Sequence, residues 1–384
     1  MNYKNLFSQY KEQSLFGRYI TLQEIEPILL NQINKKNVHI IGNSVLEKPI
    51  YKYQIGTGKV KVFIWSQMHG NESTTTKAVF DFINFLNSNT DFAFKLLNHF
   101  TFCMLPMVNP DGAKMYTREN ANKIDLNRDS VILSQPESNL LRKNFDDFEP
   151  NFCFNLHDQR TIFGVSDTGK PATVSFLAPS YNENKEYNDV RKLAASVIIA
   201  MNNELQKHIK GQVSRFDDGF NLNCIGDKFQ SLNVPTILFE AGHFPHDYDR
   251  EITREMIFIS ILSGLNFIYD NDVVNNEIDK YLSIPQNKVC FYDFIYKNIK
   301  INYDGKEIIT NFAAQYKEEL IENKLVFNAY ISEIGDLKDT FSHVAFDANG
   351  KLYSDNEDNI PKINQKANFL LHNDLIFVNG LQKV

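Results

Sequence analysis

The sequence predicts an α/β protein in which buried strands alternate with helices, followed by a smaller, mainly β module. Apolar runs typical of buried strands occur at 62–65, 101–108, 152–156, 173–178 and 234–239. Helical spacing of apolar residues separates them, as in the segment from Ser73 to Asn87. After about residue 271 short strands alternate with polar or glycine turns. We therefore expect an α/β domain over 1–274 and a smaller, mainly β accessory domain over 275–384.

Composition and charge limit the possible partners. Hydrophobic residues make up 43% of the chain and charged residues 23%, as in an ordinary globular protein. The net charge of −7 argues against nucleic acid or an anionic membrane as the main partner. The start of the chain has no apolar leader and no long apolar stretch follows, so the simplest expectation is a cytoplasmic protein with no membrane span. Four scattered cysteines indicate neither a disulfide framework nor a cysteine zinc site.

Local signals place the remaining elements. Thr21 followed by Glu24 is typical of a helix start, because each side chain can accept a hydrogen bond from the backbone N–H of the other residue. Further strands are expected at 38–41 and 50–55, and further helices at 93–99, 136–148, 184–209 and 247–268. The polar stretch from 113 to 129 lacks periodicity and is predicted to be a loop. In the last module we expect strands at 289–294, 299–303, 325–331, 343–346 and 369–377.

His69 and Glu72 lie on a predicted turn from a strand into a helix. Ligands of open α/β sheets bind at the carboxyl ends of the strands, which is where this turn falls. Imidazole nitrogen and carboxylate oxygen both suit Zn²⁺, which needs a third protein ligand in a catalytic site. Most pairs at this spacing are solvated loop residues or a hydrogen-bonded couple, so the pair alone is a weak signal for a metal site.

Two more strand ends carry groups of the right chemistry. His157 follows the strand at 152–156, and Glu240 closes the apolar run of 234–239. His69, Glu72 and His157 together make the two-histidine, one-carboxylate set of a hydrolytic zinc site. A glutamate in the position of Glu240 would be a poorly placed buried charge unless it had a function.

The order of these motifs resembles the carboxypeptidase A-like zinc metallopeptidases. The motifs are His69-Gly70-Asn71-Glu72, Asn109-Pro110-Asp111-Gly112, Arg118, Asp125-Leu126-Asn127-Arg128, His157 and Phe239-Glu240. The resemblance covers roughly residues 35–270, and the chain is similar to bacterial-type members of the family. It implies a mixed, mostly parallel eight-stranded sheet flanked by helices. It also implies one Zn²⁺ ion held by His69, Glu72 and His157.

The resemblance assigns roles to five further residues. Glu240 matches the general base and Arg118 the residue that stabilises the oxyanion. Asn127 and Arg128 match the pair that binds the terminal carboxylate of a peptide. Asp125 matches the carboxylate that accepts a hydrogen bond from the ring of His69. Taken without the resemblance, Arg118 and Arg128 also fit solvated loop charges, and Asp125 fits a helix cap.

The chain departs from the family pattern near the substrate pocket. Many members carry a mobile tyrosine in the loop before the strand of the base, and the matching loop at 215–223 has none. Asp227 falls near the expected side-chain pocket, where it would favour a basic or amino-bearing side chain, although Gly226-Asp227 also fits a simple turn. Bacterial relatives include enzymes that trim cell-wall peptides, so a muropeptide-like substrate is one hypothesis.

The function expected from the sequence is zinc-dependent hydrolysis of a peptide or amide bond that releases a C-terminal residue. Metal-activated water and a glutamate base would carry the reaction, with a peptide bearing a free carboxylate as substrate. One alternative is a zinc-dependent deacylase of N-acyl amino acids. A second is a non-catalytic peptide-binding protein that keeps the fold.

Overall fold

The computed structural model describes residues 2–271, 277–355 and 359–383. The chain divides into two compact units. Unit 1 comprises residues 1–159 and 172–287, and unit 2 comprises residues 160–171 and 288–384. The domain boundary predicted between 274 and 275 lies outside the described residues. The sequence pattern did not indicate that the segment 160–171 groups with the C-terminal residues.

The helices of the described residues all lie in unit 1. They are α1 (Tyr3–Tyr10), α2 (Leu22–Pro27), α3 (Thr74–Leu86), α4 (Asp91–His99), α5 (Pro110–Met115), α6 (Pro136–Phe148), α7 (Asp189–Leu205), α8 (Ile225–Ser231), α9 (Glu251–Asp270) and α10 (Ile278–Leu282). Short 3₁₀ segments span Lys35–Asn37 and Leu126–Arg128, and one π-helical turn spans Ile28–Gln32.

The first nine strands are β1 (Val38–Asn43), β2 (Pro49–Gly56), β3 (Val60–Trp65), β4 (Phe100–Leu105), β5 (Phe152–Asp158), β6 (Phe163–Val165), β7 (Val174–Leu177), β8 (Val213–Arg215) and β9 (Thr236–Ala241). The others are β10 (Asn287–Val289), β11 (Phe291–Tyr303), β12 (Lys306–Ile321), β13 (Lys324–Ile334), β14 (Phe341–Asp347), β15 (Tyr353–Ser354), β16 (Phe369–Leu371), β17 (Leu375–Val378) and β18 (Leu381–Gln382).

Unit 1 is built on an eight-stranded sheet in the order β1-β2-β4-β3-β5-β9-β7-β8. The central strands β4, β3, β5 and β9 run parallel, as do β7 and β8. The pairs β1–β2, β2–β4 and β7–β9 are antiparallel. This architecture confirms the predicted mixed, mostly parallel sheet flanked by helices.

Strand β3 shows why the centre of the sheet is apolar on both faces. Val62 and Ile64 point into the larger core, which includes residues of α3, α7 and α9. Phe63 and Trp65 point into the opposite core, which includes residues of α6 and α8. All four side chains are 0% exposed. A parallel strand covered by helices on both faces needs an unbroken apolar run of this kind, and such a run also fixes its register.

Helix α3 confirms the predicted helix after Ser73, and α2 shows the predicted capping box of Thr21 and Glu24. The observed elements differ from the predicted ones at turns of the chain. The Asn109-Pro110-Asp111-Gly112 motif opens the short helix α5, with Asn109 accepting a hydrogen bond from the Gly112 N–H. The single strand predicted over 369–377 is two strands, since His372 and Asn373 adopt positive φ and form a hairpin turn.

Unit 2 contains two four-stranded sheets, β13-β12-β11-β14 and β15-β16-β17-β18, which contribute to one hydrophobic core. Its longest strand, β12, was not predicted because exposed and half-buried residues dominate both ends. The segment 160–171 is held within the unit by backbone bonds from Cys290 and Phe291 to the carbonyl of Ile162.

Helix α9 is long and apolar enough to cross a membrane by length and composition alone. In the structure 72% of its most apolar window is buried, and it packs against α3 and α7. A core helix passes the same composition test, so the feature is weak support for a membrane span.

Candidate active site

The sheet brings three strand ends to one place. His69 and Glu72 lie on the turn between β3 and α3, and His157 lies near the end of β5. Glu240 lies near the end of β9, in direct register with His157. Register partners on parallel strands point to the same face of a sheet, so Glu240 stands beside His157. The predicted meeting of these residues from separate strands is present in the structure.

His69, Glu72 and His157 form a tight buried cluster. Nδ1 of His69 lies 2.8 Å from Oε1 of Glu72, and Nδ1 of His157 lies 2.9 Å from Oε2 of Glu72. The two Nδ1 atoms are 3.1 Å apart. All three side chains are buried, and one ligand atom from each lies within 4.8 Å of the others.

The pKa values of the three clustered side chains shift in different directions because the groups are buried and interact with one another. Burial raises the pKa of Glu72, but the charge of His69 and hydrogen bonds with both histidines outweigh it and hold that pKa well below its usual range. Burial lowers the pKa of His69, yet the charge of Glu72 and the hydrogen bond with Asp125 raise it overall. Burial lowers the pKa of His157. The cluster therefore favours a positive charge at its centre and one neutral histidine beside it.

Asp125 and Arg118 support the cluster from the predicted loop. Asp125 Oδ1 lies 3.0 Å from Nε2 of His69, and Oδ2 accepts a 3.0 Å bond from Nε of Arg118. Burial raises the pKa of Asp125, but the His69 hydrogen bond and the nearby positive charges lower it overall. Asp125 also accepts from the Asn127 N–H, so the expected cap is present, on the 3₁₀ segment, together with the contact to His69. Arg118 reaches Oε1 of Glu72 at 3.3 Å, and its side chain is 45% exposed.

Glu240 is a buried carboxylate beside the cluster, with 9% of its surface exposed. Burial raises its pKa well above the usual range, and the nearby carboxylates Glu72 and Asp158 raise it further. A divalent cation in the cluster would lower this pKa by direct attraction. The group is thus placed so that its affinity for a proton depends on the charge of its neighbours.

The predicted substrate residues lie on two segments, Asn127 and Arg128 in the 3₁₀ segment and Asp227 in α8. Arg128 is exposed and donates to the Asn127 carbonyl at 2.8 Å, and no carboxylate among residues 2–271, 277–355 and 359–383 forms an ion pair with it. Asn127 Oδ1 accepts from the Ile225 N–H. Asp227 is buried in the first turn of α8, where burial raises its pKa to about 7. The Asn127–Ile225 hydrogen bond joins the 3₁₀ segment to the start of α8, the helix that carries Asp227 in its first turn.

Sequence reasoning missed the role of Asp158. Its side chain accepts hydrogen bonds from the N–H groups of Thr74 and Thr75, and its own N–H donates to Oε2 of Glu72 at 3.1 Å. Asp158, at the end of β5, therefore caps α3. It also joins the turn that carries His69 and Glu72 to the strand that carries His157. The only signal in the sequence was an acidic residue directly after His157.

The cluster fits a zinc ion on the chemistry of its donor atoms. Two neutral imidazole nitrogens and a carboxylate match zinc preferences, and ligands at zinc distances around a tetrahedral ion stand about 3.3 Å apart. The observed spacings of 2.8–3.1 Å are slightly shorter than this. Nε2 of His69 faces Asp125, which is the arrangement that orients a ligating histidine through its second nitrogen.

Comparison with known proteins supports the family resemblance and the fold. Residues 30–212 match the zinc carboxypeptidase family. Carboxypeptidase 2 of Trichophyton tonsurans is 29% identical over 117 residues, covering 30% of this chain and 21% of that protein. Gamma-D-glutamyl-L-diamino acid endopeptidase 1 of Lysinibacillus sphaericus is 36% identical over 83 residues, covering 20% of this chain and 21% of that protein. The chain thus spans about a fifth of the length of these curated relatives.

Two solved structures share the fold at 15% identity. Thrombin activatable fibrinolysis inhibitor has a TM-score of 0.53 over 70% of this chain and 81% of its own. Carboxypeptidase A of Helicoverpa armigera has a TM-score of 0.50 over 70% of this chain and 80% of its own. These two structures show the shared fold, and the match of residues 30–212 to the zinc carboxypeptidase family confirms the resemblance stated from the motifs.

Proposed function

We propose that this protein is a zinc-dependent carboxypeptidase that hydrolyses a peptide or amide bond next to a free carboxylate. The observation that carries the proposal is the convergence of His69, Glu72 and His157 within 4.8 Å, with Glu240 in register beside them. When bound by these three residues, zinc lowers the pKa of a coordinated water and polarises a carbonyl. A non-catalytic binding protein would have no need to retain both a complete ligand set and a buried base.

Three side chains around the cluster have separate roles in the proposed reaction. Glu240 accepts the proton of the attacking water and delivers it to the departing amine. Arg118 holds a positive charge beside the cluster, where negative charge develops on the carbonyl oxygen. Asp125 fixes the ring of His69 by accepting from Nε2. The low local dielectric around the buried His69 and Glu240 strengthens their interactions.

Glu240→Gln tests the role of the base. The amide keeps the shape of the side chain but cannot take up a proton, so kcat should fall by about 10²–10⁴-fold while bound zinc stays at one ion per chain. Zinc content is measured by atomic emission on the same samples as the rates. Glu137→Gln, which changes a buried glutamate of α6 with a raised pKa, is the matched control and should keep near-normal kcat. Near-normal kcat in Glu240→Gln would refute the assigned role.

Arg128 is proposed to bind the carboxylate of the substrate. Its guanidinium is exposed, and within the described part of the chain it has no acidic partner. A guanidinium binds a carboxylate through two parallel hydrogen bonds, which gives both affinity and orientation. Asn127 adds its amide nitrogen, because its Oδ1 is already used by the Ile225 N–H.

Arg128→Met should lower kcat/KM for peptides with a free terminal carboxylate by about ten- to hundredfold, the usual cost of losing a charge-assisted hydrogen bond. The same peptides with an amidated terminus, which are already poor substrates, should change little. Arg142→Met, which removes a partly buried arginine of α6 that pairs with Asp146, is the control and should leave both rates unaltered. Equal losses on free and amidated peptides would contradict an exopeptidase.

We further propose that the released residue bears an amino group on its side chain. Asp227 supplies a buried carboxyl near Arg128, and the Lysinibacillus relative is named for a diamino acid. Because its pKa is raised to about 7, the carboxyl is mostly neutral at pH 6 and ionised at pH 8. Only the ionised form attracts an ammonium group, so recognition of such a residue should strengthen as pH rises through 7.

Two peptides that differ only in lysine or norleucine at the released position measure this selectivity. The ratio of their kcat/KM values should rise about tenfold between pH 6 and pH 8, since kcat/KM follows the ionisation of the free enzyme. Asp227→Asn should give a lower ratio that is flat with pH. A third peptide releasing diaminopimelate extends the comparison to muropeptide chemistry. A wild-type ratio that does not change with pH, or one that Asp227→Asn leaves unaltered, would contradict this substrate class.

A further inference from the structure

The segment Glu12–Ile20 precedes the part of the chain that matches the zinc carboxypeptidase family, yet it contacts the metal-binding turn directly. We propose that this segment, here called the strap, sets the geometry of the turn that carries His69 and Glu72, and that Gln67 is the positioning residue through which it acts. The inference rests on the metal site of the proposed function and adds a structural requirement to it.

Gln67 uses its whole amide to join the strap to the turn. Its Nε2 donates to the Ile20 carbonyl at 2.8 Å and to the Gly70 carbonyl at 2.9 Å. Its Oε1 accepts from the hydroxyl of Thr76 at 3.0 Å. The residue is 0% exposed, and its φ of 48° is in the left-handed region that a side chain rarely adopts. The backbone strain and the saturated amide show that the position is determined by its surroundings.

Ser73 makes a second bond between the strap and the turn. Its hydroxyl donates to the Arg18 carbonyl at 2.5 Å, and it makes no capping bond to α3 although it occupies the capping position. The cap of α3 comes from Asp158 instead, which leaves the Ser73 hydroxyl for the strap. Gln67 and Ser73 therefore hold the turn at both ends, with His69 and Glu72 between them.

The strap is itself anchored to elements other than the turn. Arg254 of α9 donates to the carbonyls of Glu12 and Leu15 at 2.8 and 2.6 Å, and its guanidinium is paired with the buried Asp81 of α3. At the other end, the Tyr19 hydroxyl donates to the Lys114 carbonyl of α5 at 2.8 Å. Because the strap is fixed at both ends, it can hold the turn in place.

The bond to the Gly70 carbonyl links the strap to the ligands. Gly70 follows His69 directly, and an added Cβ there would meet the backbone of Gly112 at 1.9 Å, so the turn has no room to shift towards α5. Zinc affinity depends on ligand positions held within a fraction of an ångström, and loss of a supporting contact typically weakens it about 10–100-fold. We expect loss of the Gln67 amide to fall in this range.

The test measures the zinc dissociation constant by competition with a chelator, using the full chain. Gln67→Met keeps the length of the side chain but removes its donors and its acceptor, and it should raise the dissociation constant about tenfold or more. Tyr53→Phe, which removes a buried hydroxyl of β2 that bonds Asn87 at the far end of α3, is the matched control and should leave the constant unchanged. The visible spectrum of the cobalt-substituted protein should change in Gln67→Met only.

The outcomes separate the inference from the proposed function. A zinc dissociation constant of Gln67→Met within twofold of wild type would overturn the proposed role of the strap. Equal losses of zinc affinity in Gln67→Met and Tyr53→Phe would do the same. Should Gln67→Met fail to fold, Ser73→Ala decides the matter, because it removes one hydroxyl that does not cap α3. A Ser73→Ala protein with several-fold weaker zinc binding supports the strap, and one with wild-type affinity refutes it. Failure of the wild-type protein to bind zinc would instead refute the proposed function.

Discussion

Two imidazole nitrogens and a carboxylate meet in a buried space, and their electron pairs repel unless a positive charge lies among them. The pKa of His69 is raised and that of His157 is lowered, so protonation is favoured on one ring and disfavoured on the other. A metal ion satisfies all three donors at once, which a single proton cannot do. The surrounding side chains and backbone of unit 1 hold these donors in place, through Asp125 on His69 and through Arg118 and the Asp158 N–H on Glu72.

The sheet supplies the precision that this convergence needs. β3 and β5 are adjacent and parallel, so their carboxyl ends lie side by side and present His69 and His157 to the same space. β9 lies beside β5 and places Glu240 next to His157. Apolar packing on both faces of these strands fixes their register, and a slip of one residue would turn each side chain to the opposite face. The site is therefore a consequence of the buried core beneath it.

Much of this arrangement followed from the sequence because it depends on local signals. Apolar runs located β3, β5 and β9, and the residues just after the apolar core of each run were the candidates for chemistry. The cap of α2 by Thr21 was readable because a capping box needs only four residues. Asp158 and Gln67 were not predicted, since each acts through backbone groups of segments distant in sequence, and such partners leave no pattern around the residue itself. The grouping of 160–171 with unit 2 escaped prediction for the same reason.

Anomalous diffraction at the zinc absorption edge, from crystals of the zinc-loaded protein, tests the central claim most directly. The claim predicts a single strong peak about 2.0–2.2 Å from Nδ1 of His69, Nδ1 of His157 and a carboxylate oxygen of Glu72, with Glu240 near the ion but not bound to it. A peak coordinated by other residues, or one that lacks any of these three ligands, would contradict the account.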